Sequence, residues 1–279
     1  MQMNRRNFLM AAAAGFGAAA LGGLPALAGG GRGLDRIGLQ LYTLRSLMEK
    51  DVAKTLAFVA ELGYREVEFA GYFDHTPVEI KAMLASEGLT APSTHVSMTH
   101  LNEHIDAVIE TALTVGHRYV VMPWLEPEER GGADVYRIYA EQLNRAGEAC
   151  RKAGLTLAYH NHAFEFEAVD GIEPYDILMG ETDPGLLKIQ LDLYWTTKAG
   201  RDPLDYFARY PGRFVSCHVK DMRADGEMTE VGGGTIDFAR IFAASEKAGI
   251  RHYFVEHDEP ADAAASVRAS IEYLRKLRF

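Results

Sequence analysis

Three observations predict an α/β chain that closes into a single-domain (β/α)8 TIM barrel behind a cleavable signal peptide. A helix, a glycine and a short apolar strand recur along residues 33–279. The strands are near-continuous apolar runs, as expected of parallel strands covered on both faces. The stretch Gly29–Phe279 is about 250 residues, the usual size of one such barrel.

The composition admits this reading and excludes others. The 279 residues are 48% hydrophobic and 24% charged, which rules out a disordered or fibrous chain. There are 29 Lys plus Arg against 39 Asp plus Glu, a formal net charge of -10. An acidic chain gains nothing from counterion release on a phosphate backbone, so no nucleic-acid partner is expected. Cys150 and Cys217 lie in separate segments without zinc-finger spacing, and a single disulfide between them stays open.

The chain begins Met1-Gln2-Met3, then Asn4-Arg5-Arg6-Asn7-Phe8-Leu9-Met10 and an Ala/Gly-rich apolar run to about Leu24. Pro25-Ala26-Leu27-Ala28 offers a small-residue cut site. Arg5-Arg6 before Phe8-Leu9 resembles a twin-arginine signal. Residues 1–28 are therefore expected to be removed, with the export machinery as a partner and the periplasm as destination. The apolar run is short of the roughly 20 residues of a spanning helix and is diluted by glycine, so no stable membrane anchor is expected. Loss of two arginines takes the charge from -10 to -12.

Strands are expected at residues 37–42, 65–69, 89–95, 118–122, 155–160, 187–193, 214–219 and 250–256. Helices are expected at 52–62, 78–87, 101–115, 135–153, 174–180, 203–210, 238–248 and 261–277, several with apolar residues three and four apart. Glycine just past a helix takes the left-handed cap conformation at little steric cost. No Gly-x-Gly-x-x-Gly follows the first strand, which removes support for a dinucleotide fold. Gly232-Gly233-Gly234 lacks the Lys-Ser/Thr of a phosphate loop and reads as a flexible active-site loop.

In such a barrel the site lies at the C-terminal ends of the strands. Those ends carry Gln40 and Tyr42, Glu68, His95, Trp124, His160 and His162 with Glu165 beyond, Asp192 with Trp195, His218 with Lys220, and Glu256. Singly, Asp192 reads as a helix cap, Glu256 as half of a salt bridge and His218 as a core histidine. All three, however, end successive apolar strands. Buried carboxylates converging on one mouth are costly without a cation, and a divalent metal is the simplest solution. Lys220 shares the strand face of His218 and can point into the site. Trp124 and Trp195 either stack on a sugar face or pack under a loop.

These strand ends resemble the xylose isomerase-like TIM-barrel superfamily, the sugar phosphate isomerase/epimerase family, over roughly residues 35–277. The segments that carry the likeness begin at Tyr159-His160-Asn161-His162, Leu191-Asp192, His218-Val219-Lys220-Asp221, Val231-Gly232 and Phe254-Val255-Glu256. The resemblance implies one divalent ion on an acid of strand five together with Asp192, His218 and Glu256; the oxygen-rich set leans to Mn²⁺ or Mg²⁺, with Co²⁺ or Zn²⁺ admitted. Many relatives carry Glu where this chain has His160, so Glu165 is the favoured ligand, with His160 or His162 as substitute or as acid/base group. Glu165, Glu256, His160, His162 and Lys220 are the candidate catalytic groups. Gln40, Tyr42, Glu68, His95, Trp124 and Trp195 are the candidate substrate contacts. The His-Asn-His pattern is more similar to the inosose dehydratase and 3-keto-sugar-processing branches than to the epimerases.

The expected activity is isomerisation or epimerisation of an unphosphorylated sugar or keto-sugar through an enediolate. The alternatives are a dehydratase or lyase acting on a keto-sugar or 3-keto-glycoside, and a non-catalytic periplasmic sugar-binding barrel. The nuclease branch of the superfamily is disfavoured by the acidic charge. A homo-oligomer is compatible with the sequence.

Overall fold

The computed structural model describes residues 31–279. The expected signal peptide over 1–28 lies outside the described residues. Eight parallel strands close into a barrel: β1 (Gly38–Gln40), β2 (Glu66–Phe69), β3 (Thr90–His95), β4 (Tyr119–Met122), β5 (Thr156–His160), β6 (Leu187–Asp192), β7 (Phe214–Val219) and β8 (His252–Val255). Each strand pairs with its sequence neighbour. Closure is made by β1, which pairs with β2 through Gln40 and Glu68 and with β8 through Gly38 and Phe254. A two-stranded antiparallel ribbon, Asp221–Met222 with Met228–Thr229, stands over the β7 end.

The helices form where caps and spacing dictate. Val52–Leu62 starts at Asp51, whose side chain accepts from Lys54 N, and stops at Gly63 in the left-handed region. Pro77–Ser86 is opened by a reciprocal capping box between Thr76 and Glu79. Gly249 ends Phe238–Ala248 at φ +100°, and a Cβ there would lie 2.8 Å from the Phe214 carbonyl oxygen. Only glycine lets that helix end approach β7 so closely.

Most of the apolar core lies between the sheet and the helices. Tyr64, Phe69, Phe214 and Phe242 are completely buried there, and each such side chain contributes about 1.5–3 kcal/mol by leaving water. A smaller cluster, Tyr119, Val121, Ala158 and Val215, is separate from it. Among the described residues, no helix is long and apolar enough to cross a membrane.

Four sequence expectations are revised. The first strand ends at Gln40, not Tyr42, because the Gln40 side chain accepts from Tyr42 N and turns the chain into a 3-10 helix, Leu41–Leu44. The helix expected over 101–115 is two helices, Met98–Glu103 and Ile105–Val115, broken at His104 with φ -135°. The Gly232-Gly233-Gly234 loop is pinned rather than free. Asp221 is buried and accepts from Gly232 N, Gly234 N, Ile236 N and Met222 N at 2.8–3.1 Å. A Cβ on Gly234 would fall 2.3 Å from Asp221 Oδ1, so this loop can wrap the carboxylate only with glycine there. Cys150 and Cys217 are both buried and free, which closes the disulfide question.

Candidate functional site

Asp192, His218 and Glu256 meet at the C-terminal mouth. Asp192 is the last residue of β6, His218 lies in β7 beside it in register, and Glu256 directly follows β8. One donor atom from each lies within 4.8 Å of the others, and all three residues are buried. His95, His160 and His218 form a second such group. His218 is common to both, and His160 lies beside the first group, its Nε2 3.8 Å from Asp192 Oδ2.

His218 is clasped from both sides. Nδ1 lies 2.6 Å from Glu256 Oε2, and Nε2 lies 2.6 Å from Glu68 Oε1. Burial pulls its proton affinity down, but the two carboxylates outweigh burial and hold the imidazole at about 10. Glu256 is driven below the usual carboxylate range: burial opposes the shift, and Lys220 and His218 win. Asp192 goes the other way. Burial lifts it to about 6 against the pull of Lys220 and His218. Its Oδ1 caps the helix Leu193–Lys198 through Trp195 N at 2.7 Å. Its Oδ2 accepts no hydrogen bond, although it lies 3.1 Å from Lys220 Nζ. Asp192 is thus both the expected cap and a donor with an unused oxygen.

The donor set fits a divalent ion: two carboxylates and an imidazole from three neighbouring strands, one carboxylate oxygen buried without a hydrogen bond. Glu68 fits the same design from below. It is completely buried and accepts from Gln40 at 2.8 Å, Gln190 at 2.7 Å and Ser93, besides His218. A carboxylate behind a ligating histidine fixes the ring and its tautomer.

Several expected contacts are therefore reassigned. Gln40 and Glu68 do not line the cavity; they form the floor that orients His218. Glu165 does not join the ligand triangle. The chain turns at Phe164–Phe166 and carries Glu165 to the far side of β5, where its oxygens accept from the Tyr159 hydroxyl and His162 N, each at 2.8 Å. His160, within β5, faces the ligands instead, 3.8 Å from Asp192 Oδ2.

A cavity of about 610 Å³ reaches the triangle at Glu256, with Asp192 and His218 buried behind its wall. Tyr42, His95, Trp124, His160, His162, Trp195, Lys220, Glu256 and Asp258 contribute to its wall. His162 is wedged between Trp124 and Trp195, with ring centroids 4.6 and 5.5 Å away. The His95 ring stacks on that of His218 at 5.3 Å, and its Nε2 is 2.9 Å from Gln190 Oε1. Burial first, then neighbouring positive groups, holds His160 and His162 well below the ordinary imidazole value, so both are neutral near pH 7.

Gln190, Ser93 and Ser216 were not expected from the sequence. Each stands two residues before a site residue (Asp192, His95 and His218) and so shares its strand face one layer down. That spacing was the available signal. Asp258, bonded to Lys220 Nζ at 2.7 Å, carried no signal beyond its place after β8.

Fold and mouth together define a (β/α)8 barrel with a carboxylate and imidazole donor set able to hold a metal ion at its C-terminal end. The family model Xylose isomerase-like TIM barrel matches residues 56–277, and the chain belongs to that family. An inosose dehydratase of Geobacillus thermodenitrificans is 29% identical over 154 residues, 49% of this chain and 50% of that protein. The chain spans about half the length of the curated relatives it matches. A sugar phosphate isomerase/epimerase of Parabacteroides distasonis superposes with a TM-score of 0.78 at 27% identity, covering 87% of this chain and 98% of that one. An IolI protein crystallised with a zinc atom superposes with a TM-score of 0.68 at 15% identity, covering 85% and 95%. At that identity the likeness is one of fold.

Proposed function

We propose that this protein is a divalent-metal-dependent dehydratase acting on an unphosphorylated keto-sugar or keto-cyclitol of the inosose type. The observation that carries the reading is the buried Asp192–His218–Glu256 triangle, whose Glu256 lines a cavity walled also by two neutral imidazoles. The half-length similarity to inosose dehydratases favours water loss over the isomerisation expected from the sequence.

Asp192, His218 through Nδ1, and Glu256 would hold the ion, with His160 beside them, while Glu68 keeps Nε2 of His218 in place. When bound, a divalent ion supplies Lewis acidity that weakens the C–H bond next to a carbonyl. His160 or His162 takes that proton, because each is neutral and within the cavity wall. The hydroxyl on the next carbon leaves with its bonding electrons and receives a proton from the Lys220 ammonium, so one water departs and a carbon–carbon double bond forms beside the carbonyl. Trp124 and Trp195 offer flat faces for the ring carbons. The Arg5-Arg6 leader supports periplasmic action; fractionation of cells making the full chain tests that point.

The reaction is tested by incubating purified protein and Mn²⁺ with a panel of keto-cyclitols, keto-sugars and their phosphates, read by mass spectrometry and ultraviolet absorbance. A product lighter by one water, with a new enone band, is expected. A product of unchanged mass would return the protein to the isomerase and epimerase reading. Tight sugar binding with no conversion would make it a binding protein.

A further inference from the structure

The carboxylates of the ligand triangle already have a counter-ion in the chain itself. Lys220 Nζ lies 2.7 Å from Glu256 Oε2 and 3.1 Å from Asp192 Oδ2. These two residues are the anionic members of the triangle. A third contact, 2.7 Å to Asp258 Oδ1, reaches outside the triangle to a residue still a quarter exposed. The lysine side chain itself is 2% exposed.

Such an arrangement sets up a rivalry. An ammonium close to both oxygens stands within about 4 Å of any ion that the same oxygens share, and like charges at that distance in a buried site repel strongly. The triangle cannot serve both cations with the same oxygens. Lysine is a compact point charge on a flexible four-carbon stem, so it can move while its charge survives. Asp258 is the carboxylate contact of Lys220 that the triangle does not use, and it already holds Nζ.

We propose that Lys220 is the resident counter-ion of the metal site and that a divalent ion displaces it onto Asp258, so that metal affinity is set by competition with the chain's own lysine. This inference rests on the metal-site reading above. It has two consequences of opposite sign. Removing the lysine leaves buried Asp192 without its close ammonium and Glu256 with His218 alone, which destabilises the metal-free protein and strengthens its hold on the ion. Removing the Asp258 charge takes away the place to which the ammonium retreats, which weakens the hold on the ion.

The test is titration calorimetry of Mn²⁺ into the full chain, with thermal melts taken with and without Mn²⁺. Lys220→Met is expected to bind Mn²⁺ about tenfold more tightly or better, to melt lower without the ion, and to gain more from it than the unaltered protein. Asp258→Asn is expected to bind about threefold more weakly. Equal or weaker binding by folded Lys220→Met overturns the competition, and so does equal or tighter binding by Asp258→Asn. If Lys220→Met is unfolded without the ion, the Asp258→Asn result decides, since that residue lies at the partly exposed edge. If the unaltered protein takes up no Mn²⁺, Zn²⁺ or Co²⁺, the metal reading itself fails, an outcome distinct from failure of the competition.

Discussion

The inner and outer faces of one barrel sheet treat a buried carboxylic acid in opposite ways. On the inner face, Glu68 is completely buried yet held well below the ordinary carboxylate range, because His95 and His218 outweigh the cost of burial. On the outer face, Glu165 is equally buried, but its partners are the Tyr159 hydroxyl and an amide N–H. Burial therefore wins and pushes it up to about 7. Depth does not decide the state of a buried acid; the charge of its partner does. The inner face is a charged network built for a ligand, and the outer face is a structural contact that tolerates a proton.

The largest expected effect comes from breaking the inner network at its centre. His218→Ala removes a proposed metal donor and the cation between Glu68 and Glu256. The proposed dehydration should fall by about a thousandfold or more in kcat/KM, with about 3–5 kcal/mol lost in stability. Steady-state kinetics and urea unfolding check both figures; a loss under tenfold would remove His218 from the chemistry.

Next comes the floor. Glu68→Gln keeps the shape but withdraws the carboxylate behind His218, and Mn²⁺ affinity should drop about 10–100-fold. Unchanged affinity by calorimetry would reduce Glu68 to an ordinary core polar group.

On the outer face, Glu165→Gln should leave kcat/KM within a few-fold and alter the pH dependence of stability instead. The folded value of about 7 lies above the ordinary value of 4.5, so the folded state holds this proton more tightly than the unfolded state. Stability from this group is complete below about pH 4.5, drains away as pH rises toward about 7, and stays lost above it. The swing is about 3 kcal/mol. Urea unfolding across that window should show this decline in the unaltered protein and a flatter profile in the variant. A collapse of metal binding in Glu165→Gln would instead bring this residue back to the site.

The smallest effect is expected of Tyr159→Phe, which deletes one hydrogen bond to Glu165 and should cost about 1 kcal/mol without touching metal affinity.

The triangle was legible in the sequence; the contrast between Glu68 and Glu165 was not. Asp192, His218 and Glu256 stood out because each interrupts the end of an apolar strand, where a polar residue has few explanations. His160 and Glu165 could not be ranked the same way. Five residues apart across a loop, they can face either side of the sheet, and the 3-10 turn at Phe164–Phe166 sends Glu165 outward. Glu68 read as a substrate contact because its partners, Gln190 and His218, lie 122 and 150 residues away. Nothing local reports such a bond.

By itself the sequence determined the barrel, most of its element boundaries and the three residues, Asp192, His218 and Glu256, that meet at its mouth. Helix caps, glycine stops and buried apolar strands are local signals, each expressed within a few residues. The tertiary structure decided what only closure can bring together: that His160 rather than Glu165 faces Asp192, the carboxylate that orients His218 from below, and the lysine that bridges Asp192 and Glu256. Those relations are made across the barrel axis by chain segments far apart, where distance and shielding from water set the charge of every group.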